Sequence, residues 1–484
     1  MTALSQAEEV MERIAQANQS EQDLRISQPS GVVRPPHGPN RMHALVAALR
    51  GRILSLEFLD EFYSTKPIAY LHLGGEHMYA LSDPALIWEA YASNDAKVSR
   101  ARQAEALTPV TGRGVLTSRG EEHRRNRKLV QPSFSPKHIN SYGADMVAAA
   151  NECSDKWMQR TTSGPTEVLL AQEMSELTLD IIGRTIFGSD LSGAAKDVST
   201  ALTELLSRAR LMTSPIGKWL TIFPNPLRKR LVRAIARLDA VVDQMIASKK
   251  VSIASGSSSD EMLTRLINTN EDGETLSDTQ LRDEVMTLVL AGHETTANAL
   301  SWTFLHLSEN PEVQDWLADE WRQFAHRDVT TSDYAHLHRT RAVIAESMRL
   351  TPPVPSILRY VVEDFELAGY RIPAGSTLFA SQYFMHRDPA VWPHATEFVP
   401  QRWLTEDGSF SEKAPGQPKG AWFPFGFASR KCLGDRFAWL EATLVLATLG
   451  PTWKITALDP GAVRPIPAVT LRPSTGVPAL LQRR

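Results

Sequence analysis

The chain has 484 residues, and its 52 Lys and Arg against 55 Asp and Glu leave a formal charge of −3. That balance excludes a strongly basic protein whose affinity comes from neutralising phosphates, and 42% apolar residues supply a large core and exclude global disorder. Cys153 and Cys432 are too few for a disulfide framework, a four-cysteine zinc site or an all-cysteine iron–sulfur cluster, and they point to a reducing compartment.

Met1 to Arg25 is polar and acidic, without the basic start and apolar centre of a secretion signal. Residues 1–40 read as a polar helical arm and a linker, because Arg34-Pro35-Pro36-His37-Gly38-Pro39 cannot be helical. Residues 41–484 read as one domain without internal repeats. The longest apolar stretches, 42–49, 285–292 and 437–450, fall short of the ~18–20 residues of a bilayer span, so no span and a cytoplasmic location are expected. Runs at 68–71 and 78–81 flank Gly74-Gly75 and predict a hairpin. From about residue 84 to 350 the periodicity is helical, with a Ser-rich loop expected at 252–259. Short strands follow Thr351. The expected fold class is mainly α with small β-sheets (α+β).

One helix dominates. Ser277 and Gln280 form a capping box, and helical periodicity runs to Glu309 before Asn310-Pro311. Such a helix is about 50 Å long and must cross the molecule. Within it lies Ala291-Gly292-His293-Glu294-Thr295-Thr296. Ala291 and Thr295 share a face, and Gly292 costs about 1 kcal/mol relative to alanine, which suggests a locally weakened helix. Near the C-terminus, Phe425-Gly426-Phe427-Ala428-Ser429-Arg430-Lys431-Cys432-Leu433-Gly434 precedes another helix. The helix start, Arg430 and Lys431 all favour a thiolate at Cys432.

These two segments resemble those of the cytochrome P450 family. The family's haem loop, Phe-Gly-x-Gly-x-Arg-x-Cys-x-Gly, is met at Phe425, Gly426, Arg430, Cys432 and Gly434, with Ala428 replacing the second glycine. The helix motif matches Ala291 to Thr296. Glu346-Ser347-Met348-Arg349 and Pro400-Gln401-Arg402-Trp403 match further motifs, which implies a buried Glu346–Arg349–Arg402 network completed by backbone carbonyls, with a folding role. The resemblance implies the P450 fold, a haem domain over 41–484 with one long central helix across the haem, and haem b with Cys432 as the iron ligand. It further implies that His123, Arg127, Arg359 and Arg430 meet the propionates. Phe425, Gly426, Gly434 and Ala291 then contact the macrocycle. Thr295 is implied to hydrogen-bond the oxygen ligand, and Glu294 to support proton delivery. His386 reads as structural.

The implied activity is insertion of one oxygen atom from O₂ into a lipophilic small molecule, by hydroxylation or epoxidation, of a terpenoid, fatty acid, polyketide or aromatic. The length leaves no room for a fused reductase, so electrons are expected from NAD(P)H through a ferredoxin or flavodoxin-type partner and its reductase. Arg124, Arg125, Lys128, Lys419 and Lys431 are candidate docking cations. The pocket is expected from 100–117, 205–225, 288–296 and 354–358. Two alternatives stand beside this reading: a peroxide-driven or electron-independent haem-thiolate enzyme, and a non-catalytic haem sensor or carrier. No nucleic-acid partner is expected.

Overall fold

Ser277 caps the long helix as expected: its side chain accepts from the Gln280 N–H, and the Gln280 side chain accepts from the Ser277 N–H. The helix then runs unbroken for 32 residues, until Pro311 opens the next one. A computed structural model describes the chain over residues 38–49, 55–73, 76–100, 107–188, 226–256, 261–324, 326–413 and 416–484. The arm and linker up to residue 37, the Gly74-Gly75 turn and the expected pocket segment 205–225 lie outside the described residues.

The principal helices are α1 (Gly120–Val130), α2 (Gly143–Arg160), α3 (Leu170–Ile182), α4 (Pro226–Ala254), α5 (Asp278–Glu309), α6 (His338–Leu350) and α7 (Asp435–Leu449). The central helix is α5, with α3, α4, α6 and α7 packed against it and α2 against α7. Between Leu281 and Leu305 all its residues are buried except Ala291, Gly292 and Thr295. Ser252 to Ala254 belong to the last turn of α4, where a loop was expected, because its helical register carries on past Lys250.

Gly292 has a different reason from the one its helix propensity suggests. The helix is not interrupted there. A Cβ at that position would stand 2.6 Å from Ile182 Cδ1, so the glycine lets α3 pack closely on α5.

A five-stranded sheet flanks the helices in the order β1 (Ile68–Leu73), β2 (Glu76–Leu81), β5 (Thr377–Ala380), β4 (Ile357–Val361), β3 (Val98–Arg100). The hairpin β1–β2 is antiparallel in the expected place, and β2 pairs with β5 in parallel. Side chains alternate across a strand, so Ile357 and Arg359 share a face of their strand, and the buried Arg359 guanidinium lies over the Tyr91 ring. A hairpin of β6 (Pro465–Pro467) and β7 (Leu471–Pro473) lies against α5: Trp302 Nε1 donates to the Leu471 carbonyl at 2.9 Å, and Leu471 N donates to Pro353 O at 2.8 Å.

Candidate functional site

The loop before α7 is built by its own backbone. Gly426 takes φ +72°, which a side chain disfavours, and its N–H donates to Phe423 O at 3.0 Å. The chain then doubles back so that Cys432 N donates to Phe425 O at 2.9 Å. Gly434 follows as the residue that opens α7, and a Cβ there would lie 4.0 Å from Cys432 Sγ. The four expected residues Phe425, Gly426, Cys432 and Gly434 therefore share one turn. Ala428 adopts φ +47° on the exposed side of the loop. Its departure from glycine is thus a backbone strain, since the left-handed region costs an L-residue about 1–2 kcal/mol.

At Cys432 the balance of forces differs from the one inferred from sequence. Burial dominates and pushes the thiol up to about 11; the Gly434 N–H and Lys431 do favour the thiolate, and Arg127 does so in place of the expected Arg430. The residue keeps accessible surface, but enough protein encloses the sulfur for desolvation to win. Coordination to a metal deprotonates such a thiol outright.

Around this loop gathers positive charge. Arg430 donates through Nη1 to Ser118 O at 2.9 Å, Arg127 through Nη1 to Lys431 O at 2.8 Å, and buried Arg359 through Nη1 to Leu358 O at 3.0 Å. Among the described residues none of the three forms an ion pair with a carboxylate. Burial, then the charges of Arg359 and Arg119, push Arg430 down to about 10, and burial lowers Arg359. A cluster of guanidiniums that disfavour one another, with donors to spare, fits a dianion, and the two propionates of haem supply one. His123 is buried one turn before Arg127 on α1. Arg119 was missed from sequence because, just before α1, it belongs to no motif.

The uncovered face of α5 holds Ala291 and Thr295. Thr295 Oγ1 donates to Ala291 O at 2.6 Å, so its lone pairs remain as acceptors. Glu294 is not joined to Thr295. Its Oε1 accepts from Thr470 Oγ1 at 2.6 Å and pairs with the Arg472 guanidinium. His293 faces the other way, 2.8 Å from Ser175 Oγ, and burial lowers it to about 4, so it is neutral. Thr470 and Arg472 were invisible from sequence, lying 176 and 178 residues from Glu294. His386 is structural: it is buried, its ring accepts from Phe423 N at 3.2 Å, and its carbonyl accepts from Arg349.

The family model described as Cytochrome P450 matches residues 34–470. Cyclooctatin synthase of Streptomyces melanosporofaciens is 33% identical over 444 residues, covering 91% of this chain and 93% of that protein. Cyclooctat-9-en-7-ol 5-monooxygenase of the same organism is 29% identical, covering 86% of each chain. Pentalenene oxygenase of Streptomyces avermitilis is 27% identical, covering 86% of this chain and 90% of its own. The chain belongs to the cytochrome P450 family. It is a haem-thiolate monooxygenase of the bacterial type, binding haem b, acting on lipophilic small molecules and taking electrons that originate in NAD(P)H from redox partners. No helix among the described residues is long and apolar enough to cross a membrane.

Proposed function

We propose that residues 41–484 form one haem domain that oxidises a terpenoid in the cytoplasm, drawing electrons from a ferredoxin or flavodoxin-type protein and its reductase. The substrate class rests on relatives named for cyclooctatin, cyclooctat-9-en-7-ol and pentalenene. It agrees with the apolar character of Leu107, Val110, Leu288 and Ala291 along the expected pocket.

When bound, the haem supplies the oxygen-activating chemistry. Cys432 is its iron ligand in this reading. Arg127, Arg359 and Arg430, with His123, neutralise the propionates. Phe425, Gly426, Gly434 and Ala291 lie against the ring, where small residues and a flat aromatic allow close approach. Thr295 and Glu294 handle the proton. The observation that carries this assignment is that, along the buried stretch of α5, surface remains only at Ala291, Gly292 and Thr295. The Thr295 hydroxyl, oriented by Ala291 O, accepts a hydrogen bond at that surface. Glu294 is the nearby acid; its contacts with Arg472 and Thr470 aim it away, so transfer toward Thr295 runs through water or a turn of the Glu294 side chain.

The expected docking cations are already matched by acids: Arg124 by Glu121, Arg125 by Glu274, Lys128 by Asp272 and Lys431 by Asp435, while Lys419 lies over the Trp88 ring. Exposed pairs of this kind are worth less than about 1 kcal/mol and open readily, so they leave partner docking to shape as much as to charge.

The test is turnover of cyclic sesquiterpene and diterpene hydrocarbons with NAD(P)H, a ferredoxin and its reductase. Hydroxylated product that depends on the partner supports the reading. Equal turnover driven by peroxide alone, with no gain from the partner, contradicts it.

A further inference from the structure

Three consecutive charged residues of α5, Arg282, Asp283 and Glu284, are buried and have no place in the chemistry above. All three reach one stretch of backbone. Asp283 Oδ2 accepts from Arg113 N at 2.7 Å, Glu284 Oε2 accepts from Val115 N at 2.9 Å, and Arg282 Nη2 donates to Val110 O at 3.0 Å. Asp239 on α4 pairs with Arg282 and balances its charge.

The stretch is shaped to receive them. Gly112 takes φ +56°, and a Cβ there would meet the Asp283 carboxylate at 2.0–2.1 Å. A Cβ at Gly114 would meet Thr287 Oγ1 at 2.4 Å and Asp283 O at 2.8 Å. Gly112 thus lets the main chain lie directly on the Asp283 carboxyl, and Gly114 lets it lie on the Thr287 hydroxyl and the α5 backbone. Glu284, Leu288, Ala291 and Thr295 follow one another at helical spacing on a single face of α5. The clasped stretch therefore covers that face two to three turns before Thr295. At its far end Ser118 O accepts from Arg430 of the cysteine loop.

We propose that Asp283 and Glu284, with Arg282, are positioning residues that clasp residues 107–118 over the pocket face of α5, and that passage of a lipophilic ligand requires the Arg113 and Val115 N–H groups to leave these carboxyl oxygens. The proposal rests on the reading of 107–118 as pocket wall. Substrate selection would then depend on residues that touch no substrate and act through Val110 and Leu116.

The experiment follows hydrogen exchange of peptides spanning 107–118 in the haem-loaded full chain, together with the association and dissociation rates of phenylimidazole, an apolar azole, as the probe. Losing one hydrogen bond to a carboxyl oxygen makes local opening about tenfold more frequent. Asp283→Ala is expected to raise exchange in 107–118 by about that factor, to speed both azole rates, and to leave α2 peptides unchanged. Asp283→Asn keeps an acceptor oxygen and is expected to restore most of the protection. Glu284→Ala tests the second contact independently if Asp283→Ala does not fold. Unchanged exchange at 107–118 in the alanine variants, or acceleration shared equally by α2, would overturn the proposal. Exchange is read without turnover, so an enzyme inert toward every terpenoid would refute the substrate assignment and leave this result to stand by itself.

Discussion

Arg349 grips Glu346 with both Nε and Nη2, each 2.8 Å from a different carboxylate oxygen, and neither side chain has any exposed surface. The remaining capacity is filled. Glu346 also accepts from Arg402 Nε, Val399 N and Trp403 Nε1, and Arg349 donates to the carbonyls of His386, Ala395 and Glu397. Arg402 donates to the carbonyls of Pro393 and His394. A buried pair broken on one side leaves an uncompensated charge, at a cost of about 3–5 kcal/mol. Arg349→Ala is therefore expected to abolish soluble, haem-containing protein, and Glu346→Gln to lower the melting temperature steeply. A Glu346→Gln protein with an unchanged denaturant midpoint would contradict this account of the network.

Ala428 offers the opposite kind of test. Glycine at φ +47° removes the left-handed strain, offset in part by the about 0.5–1 kcal/mol of extra chain entropy that glycine loses on folding. Ala428→Gly should stabilise the chain and slow haem loss to apomyoglobin. Faster haem transfer from the variant would show that the alanine methyl serves the loop instead.

Thr295 holds its hydroxyl on Ala291 O at the one uncovered part of α5 between Leu281 and Leu305. Thr295→Ala removes the acceptor and is expected to raise peroxide released per NAD(P)H consumed, whereas Thr295→Ser retains it. Tight coupling in the alanine variant would take Thr295 out of the proton path. Arg472→Ala frees Glu294 from its partner, and should change the peroxide released per NAD(P)H consumed more than the affinity for substrate.

Burial sets the pH dependence of stability. Glu284 and Glu441 are pushed up to about 8, chiefly by desolvation, so the folded state favours their protonated forms. Their contribution is full below the ordinary carboxyl value of 4.5 and is lost as pH rises through about 8. His293 and His306 are lowered to about 4 and about 3, and His386 well below its ordinary value. The histidines must be neutral, so they lose stability as pH falls below 6.5. The two trends place the maximum near pH 6.5, with a decline toward about 8 of up to about 1.4 kcal/mol per unit for each carboxyl. Urea midpoints across this range should fall for the native sequence and fall less for Glu441→Gln. Equal slopes in the two proteins would remove Glu441 from the explanation.

What could be read from sequence was local. Ser277 and Gln280 cap α5 because the box needs residues three apart, and Phe425 to Gly434 forms one turn because its glycines and the cysteine lie within ten residues. What could not be read depends on distant approach. Arg472 on Glu294 and Val115 on Glu284 join positions 178 and 169 residues apart, with no periodicity to announce them. Gly292 looked like a weak point because propensity sees only the helix and not Ile182 beside it. At Cys432 the helix start and Lys431 pull toward the thiolate as their place in the sequence suggests, but Arg127 acts where Arg430 is expected, and desolvation, a property of the packed molecule, outweighs them all.

The central claim is the bond from Cys432 sulfur to haem iron, and the carbon monoxide difference spectrum of the reduced protein tests it most directly. A thiolate ligand moves the Soret band far to the red of a histidine-ligated haem. The native chain should show that band, and Cys432→His should lose it while retaining haem held by the arginine cluster. A red-shifted band of undiminished size in Cys432→Ala or Cys432→His would contradict the account.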